Sequence, residues 1–277
     1  MPQIKVPKYS ELPIQEGALP GSSWGVFDKD GKKDVYGTLN FITPKLWQSV
    51  VLNLPMHLPY NASRMGRKEF TLTPISDGHG MKFCDDEIHI NTQSSSQWDG
   101  LLHWPHQERA CYYNGISYAS AGQKREDKSL AIQSLSERGG IVARGILLDF
   151  PRYASRNGIT YSPLGPYAIT HSQLLEMISD QNLTPRQADV LLIRTGLSQY
   201  LRSATREDKM PADSEAQIGV DPTPELLAWL WDTGFAAVGS DAVAVEAIPA
   251  SDGSCEFLFV LCLPRVGPRG KRGMGQG

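Results

Sequence analysis

The chain has 277 residues, of which 40% are hydrophobic and 21% charged, and its formal net charge is -3. This composition is typical of a globular protein with a full hydrophobic core, and it gives no overall basic field for binding nucleic acid. No apolar run approaches the ~20 residues of a membrane span, and the N-terminus lacks the apolar core of a signal peptide. The four cysteines have no paired spacing, so we expect a cytoplasmic protein with free thiols.

The N-terminal region divides into an arm and a first helix. Residues 1–22 contain several Pro and Gly without periodicity, which indicates an irregular arm. Thr43 and Pro44 are typical of the first positions of a helix, and an apolar face follows as far as Leu54. A first strand is expected at residues 55–61.

The polar residues of the chain are most concentrated in the stretch Gln93-Ser-Ser-Ser-Gln-Trp-Asp-Gly-Leu-Leu-His-Trp-Pro-His106. The run before it, residues 87–92, alternates polar and apolar side chains, which predicts a half-buried strand. If that strand continues, Gln93, Gln97 and Asp99 share one polar face.

Two tryptophans flank this polar face, which is more typical of a lined cavity than of a core. They are Trp98 and Trp104. Asp99 and His103 then supply a carboxylate and an imidazole to one space, as general acid–base chemistry requires. His106 is an alternate imidazole.

The second half of the chain alternates strands with helices. A short helix is expected at residues 129–138, then buried strands at 140–150, 189–196 and 235–245, with helices beginning after Thr170 and Thr223. This order predicts an α/β fold with some parallel pairing.

Four polar residues fall at or near the ends of these strands, where α/β folds place their sites. Asp149 and Arg194 are either catalytic or an ion pair that holds loops together. Ser240 is a candidate by its position alone, and Asp241 could equally be a turn residue or a helix cap.

The central stretch resembles the signature His-x-Gly-Thr-His-x-Asp-x-x-x-His of the cyclase family, the metal-dependent hydrolases that include kynurenine formamidase and isatin hydrolase. Gln93 and Gln97 stand at the signature's first and second His, and Asp99 and His103 match its Asp and last His. The Trp-Gly pattern at Trp24 and the later strand sequences follow the family's order from about residue 20 to about 250. The resemblance implies a swivelling β/β/α fold, a single α/β domain with a mixed sheet, usually assembled as a homodimer or larger homo-oligomer.

The resemblance also implies which residues hold a metal: the first two His and the Asp of the signature. Here Gln replaces both His, so Asp99 is the remaining anionic ligand, with Gln93 and Gln97 at the other two positions. Family members further supply a His and a Glu after the strand at 235–245, whereas this chain has no His after His171 and offers Glu256 before an expected last strand at 257–264. We therefore expect no metal, or one weakly held divalent ion such as Zn, Mn or Mg.

The first interpretation of function is an enzyme that acts on a small molecule. Asp99 is the base and His103 its acid partner, and Gln93 and Gln97 donate hydrogen bonds to a carbonyl or enolate oxygen. The expected reaction is hydrolysis of an amide or lactone, or cyclisation of a specialised metabolite.

The aromatic residues and His106 complete the expected substrate site. Trp98 and Trp104 hold a flat or apolar substrate. Trp24 either walls the same pocket or packs the arm onto the body.

The second interpretation is a non-catalytic relative that has lost its metal and binds a ligand or a partner subunit. In both interpretations the expected organisation is an N-terminal arm at 1–22, a cyclase-like domain at 23–264 and a basic, Gly-rich tail at 265–277.

Overall fold

A computed structural model describes residues 5–41, 71–78, 81–89, 91, 98–124, 126–203, 216–249 and 251 of the chain. The structural statements below refer to these residues. The helix expected after Thr43, the strand at 55–61, the last strand at 257–264, the basic tail and both Gln93 and Gln97 lie outside them.

The chain divides into two compact units. The first contains the described residues from 5–41, 99–197 and 216–251, and the second contains 71–78, 81–89, 91, 98 and 198–203. Among the described helices, none is long and apolar enough to cross a bilayer.

The second unit contains an antiparallel hairpin of β1 (Thr71–Gly78) and β2 (Met81–His89). The half-buried strand expected at 87–92 is wrong in two respects. β2 ends at His89 and residues 98–100 are not in a strand, so Asp99 is not on a continuation of β2. The described side chains at 87–89 also lie exposed, and Ile88, on the apolar side of the expected alternation, is 51% exposed.

The first unit is built on a parallel sheet of β3 (Gly145–Asp149), β5 (Val190–Arg194) and β7 (Ala237–Ser240), in the order β3-β5-β7. Its buried face carries alternate residues such as Ile146, Leu148, Leu191 and Ile193. A shorter parallel pair joins β4 (Ala168–Ile169) to β6 (Gly219–Val220). The α/β expectation with both parallel and antiparallel pairing is confirmed.

The helices follow the strands, as the alternation in the sequence predicts. They are α1 (Gln133–Glu137), α2 (Phe150–Arg156), α3 (His171–Asp180), α4 (Leu197–Ser203) and α5 (Pro224–Thr233). Thr170 and Thr223 cap α3 and α5 with their side chains, because each hydroxyl accepts a backbone N–H three residues on. Leu174 and Met177 of α3 and Leu226 and Leu230 of α5 are buried together with the sheet residues in the main core.

The N-terminal arm is irregular over most of its described length, with a 3-10 turn at Tyr9–Glu11. It is tied to α5 by two hydrogen bonds: Tyr9 N–H donates to Asp232 Oδ1 at 2.8 Å, and Trp231 Nε1 donates to the Pro7 carbonyl at 2.9 Å. Farther on, Thr38 Oγ1 donates to the carbonyl of Ala236 at 2.9 Å. The arm is therefore an integral part of the first unit.

Candidate functional site

Asp99 and His103 lie side by side, as the sequence predicts, but in a turn and not on a strand. His103 Nδ1 is 3.6 Å from Asp99 Oδ1, and the two side chains are 32% and 20% exposed respectively. The turn is closed by the His103 N–H, which donates to the Gly100 carbonyl at 2.9 Å. At 3.6 Å the pair is an ion-pair contact when the imidazole is protonated.

Trp104 stands next to this pair. Its ring centroid is 6.4 Å from that of His103 and the ring planes are tilted by 41°. The indole is half-buried. Trp98, in contrast, belongs to the second unit and is 38% exposed.

His106 is buried, at 3% exposure, and engaged in the fold. Its Nδ1 accepts the Arg109 N–H at 3.1 Å, and its backbone N–H donates to the Cys111 carbonyl at 2.8 Å. A neutral His106 therefore carries its proton on Nε2. These bonds close the turn at 107–110, in which Ala110 has a left-handed φ of 46°.

Trp24 is buried in a cluster that we call the arm cluster, which joins the N-terminal arm to the segment after Asp99. Its buried members are Leu19, Trp24, Tyr112, Tyr113, Ala121 and Leu130, with Leu101 and Leu102 among the half-buried residues packed against it. Because Leu101 and Leu102 lie between Asp99 and His103 in the chain, the arm cluster supports the turn that carries the pair. Trp24 does pack the arm onto the body, and its role as a pocket wall stays a prediction.

A polar network around Asn114 fixes the arm to the same segment. Asn114 Oδ1 accepts the Gly25 N–H at 3.2 Å, its Nδ2 donates to the Asp34 carbonyl at 2.8 Å, and its own carbonyl accepts Lys33 Nζ at 2.7 Å. Asn114 has a left-handed φ of 55°, which asparagine tolerates better than most residues. The Asn-Gly dipeptide signals the turn, but nothing local in the sequence signals partners 80 residues away.

The strand-end residues form a separate, fully engaged cluster. Arg194 Nη1 contacts both carboxylate oxygens of Asp149 at 2.8 and 2.9 Å. Asp241 accepts hydrogen bonds from the N–H and hydroxyl of Thr195, and Ser240 Oγ accepts the Ala242 N–H. This geometry agrees with the ion-pair and turn interpretations of these residues.

Tyr161 covers this cluster, and its hydroxyl donates to the Thr195 carbonyl at 2.9 Å. Burial raises the pKa of Tyr161, and the nearby Arg194 guanidinium opposes that rise. The phenol therefore stays neutral at ordinary pH and serves as a hydrogen-bond donor.

The donor set does not fit a catalytic zinc site. Such a site takes three His or carboxylate ligands and an open position. The described residues contain no group of three His, Cys, Asp or Glu side chains able to hold a metal ion. Gln93 and Gln97, at the ligand positions of the signature, offer only neutral amide oxygens.

The family model described as "Putative cyclase" matches residues 32–247 of the chain. Among solved structures, the crystal structure of a novel cyclase is similar with a TM-score of 0.63 and 23% identity, over 78% of this chain and 76% of that one. Isatin hydrolase A from Labrenzia aggregata, bound to benzyl benzoate, is similar with a TM-score of 0.44 and 16% identity, over 73% of this chain and 65% of that one. No curated protein sequence gives a match. The first solved structure confirms the expected cyclase-like fold.

Proposed function

Because the chain belongs to the cyclase family, we propose that it is an enzyme that opens or closes an amide or lactone ring or bond in a small molecule. The observation that carries this proposal is the Asp99–His103 pair, with Nδ1 and Oδ1 3.6 Å apart and both side chains reachable from solvent. Hydrolysis of the kind that kynurenine formamidase performs is the first reaction class to test. Cyclisation of a specialised metabolite uses the same proton transfers in the other direction.

Asp99 is the general base of the proposed mechanism. Its carboxylate takes a proton from the attacking water or hydroxyl group, and His103 in its protonated form gives a proton to the leaving group. These two transfers leave Asp99 protonated and His103 neutral, and the short distance between the two side chains lets a proton pass back from Asp99 to His103 to restore the starting state.

Trp104 and Trp24 supply apolar surface for a flat substrate, with Trp98 as a third aromatic candidate. Gln93 and Gln97 donate hydrogen bonds to a substrate oxygen in this proposal. His106 acts by positioning, because its bonds to Arg109 and Cys111 hold the segment that follows the pair.

The proposed assembly is a homodimer in the cytoplasm. The hairpin exposes an apolar cross-strand pair, Leu72 opposite Ile88 at 46% and 51% exposure, and an isolated two-stranded hairpin is marginally stable in water. A second copy of the chain is the partner that would bury this pair, and light scattering at increasing concentration tests it.

The test of the function is turnover of an aromatic formamide (formanilide) and a benzo-fused lactone (phthalide) by the wild-type protein and two variants. We expect Asp99→Asn and His103→Ala each to lower kcat/KM by about 100-fold or more, the usual contribution of a positioned acid or base. The exposed Glu108 in the same segment gives the matched control, since Glu108→Gln removes a charge without touching the pair. Near-normal turnover in His103→Ala contradicts the proposal.

The alternative is that the protein is not catalytic. Its support is that the described residues contain no group of three side chains able to hold a metal ion. This alternative predicts that the protein turns over neither compound and that Asp99→Asn leaves the fold intact. Turnover that disappears in Asp99→Asn, with an unchanged melting temperature, separates the enzyme from this alternative.

A further inference from the structure

Two buried hydrogen-bond donors, one in the arm and one just after it, lack an acceptor among the described residues. Ser22 is 0% exposed and Trp24 is 7% exposed. Neither Ser22 Oγ nor Trp24 Nε1 has a hydrogen-bond partner among the described residues. Buried polar groups in folded proteins are nearly always paired, so two orphaned donors two residues apart require an explanation.

The backbone around both donors is held in place. Ser22 N–H donates to the Leu19 carbonyl at 3.0 Å, and Val26 N–H donates to that of Ser23 at 3.1 Å. Gly25 N–H donates to Asn114 Oδ1 at 3.2 Å. The two side chains are therefore fixed by the fold, and their unpaired atoms are not the result of a loose loop.

The orientation of the indole follows from its contact with Gly115. A Cβ at Gly115 would lie 3.6 Å from Cζ3 and 3.9 Å from Cη2 of Trp24, so the benzene half of the ring rests on this turn. The N–H is on the other half of the indole. Gly115 has a φ of +75°, which a glycine adopts without strain.

Trp24 also belongs to the part of the fold that supports the Asp99–His103 pair. Trp24 is in the arm cluster with Leu101 and Leu102, which lie in the chain between Asp99 and His103. Atoms with no exposed surface do not exchange hydrogen bonds with bulk water. The described residues supply no acceptor for them, and a molecule that enters this part of the protein would supply one.

We propose that Ser22 Oγ and Trp24 Nε1 are donors for a carbonyl oxygen of the substrate, and so determine specificity for carbonyl compounds. This proposal rests on the proposed function, since it concerns the same site. Both groups are neutral donors fixed before binding, which suits an amide or lactone oxygen and costs little reorganisation when the ligand binds. The ring of Trp24 adds an aromatic surface for a flat substrate.

The first experiment compares phthalide with phthalan, the same bicyclic ether without the carbonyl group, by NMR of the protein labelled with ¹⁵N-tryptophan. Trp24→Phe identifies the Trp24 indole resonance by its disappearance. We expect phthalide to move the Trp24 indole proton downfield and phthalan to leave it in place. No movement with phthalide, or equal movement with both compounds, overturns the proposal.

The second experiment uses a matched pair of tryptophans. Trp231 Nε1 donates to the Pro7 carbonyl at 2.9 Å, whereas Trp24 Nε1 has no such partner among the described residues. Trp→Phe removes similar ring volume at either position, so the difference in melting temperature reports the lost hydrogen bond. We expect Trp231→Phe to melt lower than Trp24→Phe in the absence of ligand. An equal loss means that the Trp24 N–H already has an acceptor, which overturns the proposal.

Binding measurements complete the test. We expect Ser22→Ala and Trp24→Phe each to weaken phthalide binding by about five-fold, the size of one neutral hydrogen bond. Unchanged phthalide affinity in both variants overturns the proposal.

Asp99→Asn should keep the phthalide shift of the Trp24 resonance while losing turnover. If Asp99→Asn instead keeps turnover, the proposed function fails, and the NMR result still decides the role of the two donors.

Discussion

His171 illustrates how a single half-buried side chain makes stability depend on pH. It is the first residue of α3, and its ring centroid is 5.3 Å from that of Trp229 on α5. Its Nε2 is buried without a hydrogen-bond partner among the described residues. Burial lowers the pKa of His171 from its ordinary 6.5, and the charge of Glu225 on α5 opposes this only in part.

We predict that His171 makes the protein less stable in mild acid. A folded-state pKa below the unfolded one means that the unfolded chain binds the proton more tightly. The contribution of the neutral imidazole is therefore complete above pH 6.5 and is lost as the pH falls through the folded-state pKa. His171→Phe keeps the ring against Trp229 and should flatten the fall in melting temperature between pH 7 and pH 5. A slope equal to that of the wild type contradicts this assignment.

At the scale of residues, the sequence predicted a contact between side chains four positions apart, but not contacts between residues far apart in the chain. The Asp99–His103 contact fits the four-residue spacing because a helix or a turn brings positions i and i+4 together, whereas a strand would hold them about 13 Å apart. The Asn114 network could not, since its partners Gly25, Lys33 and Asp34 are brought together only by tertiary folding. Gln93 and Gln97 lie outside the described residues, so their role stays a prediction.

At the scale of elements, helix starts were predictable and the hairpin was not. Thr170 with Gln173 forms a capping box, a local pattern that depends on neighbouring residues alone. β1 contains Pro74, and β2 contains the acidic run Asp85-Asp86-Glu87, both of which are disfavoured in strands. The pairing of β1 with β2 overrides these preferences.

Gly219 in β6 shows why a strand can require a glycine at one position. A Cβ at this position would lie 2.1 Å from the carbonyl carbon of Glu246, a backbone atom that cannot rotate away. The two segments are joined through Val220, which donates its N–H to the Val245 carbonyl and accepts the Ala247 N–H, each at 2.9 Å. The glycine therefore lets the 245–247 segment lie directly against β6.

We predict that Gly219→Ala lowers the free energy of unfolding by about 2–3 kcal/mol, the upper range for overpacking a well-packed site. Gly145→Ala in β3 is the matched control, because its Cβ would meet only the Leu192 side chain, at 3.5 Å. That control should change stability by about 0.5 kcal/mol or less. Urea unfolding measures both variants. Equal midpoints for the two would show that the 245–247 segment shifts without cost.

At the scale of the whole molecule, the order of strands and helices carried the fold assignment. Residues 140–245 alternate β and α elements, and the parallel sheet β3-β5-β7 follows from that alternation because parallel strands need crossover connections. The extents of the strands were overestimated: β7 covers only Ala237–Ser240 of the expected 235–245. The hydrophobic residues of the sequence continue to Val245, beyond Ser240, where the pairing of β7 with β5 ends.

The metal requirement of the whole protein follows from its ligand chemistry. Two neutral amides and one carboxylate make a weak set for Zn²⁺, which takes His, Cys and carboxylate ligands. We predict that the purified protein contains less than one equivalent of metal, and that a chelator changes neither its melting temperature nor its turnover. An ion at about 100 times its Kd would stabilise the protein by about 2.7 kcal/mol, which a thermal-shift titration with Zn²⁺, Mn²⁺ and Mg²⁺ detects easily.

The double variant Gln93→His/Gln97→His restores the imidazoles of the family signature and should gain a Zn²⁺-dependent rise in melting temperature. A stoichiometric ion that survives dialysis of the wild type would contradict the prediction and make Gln93, Gln97 and Asp99 a metal site after all.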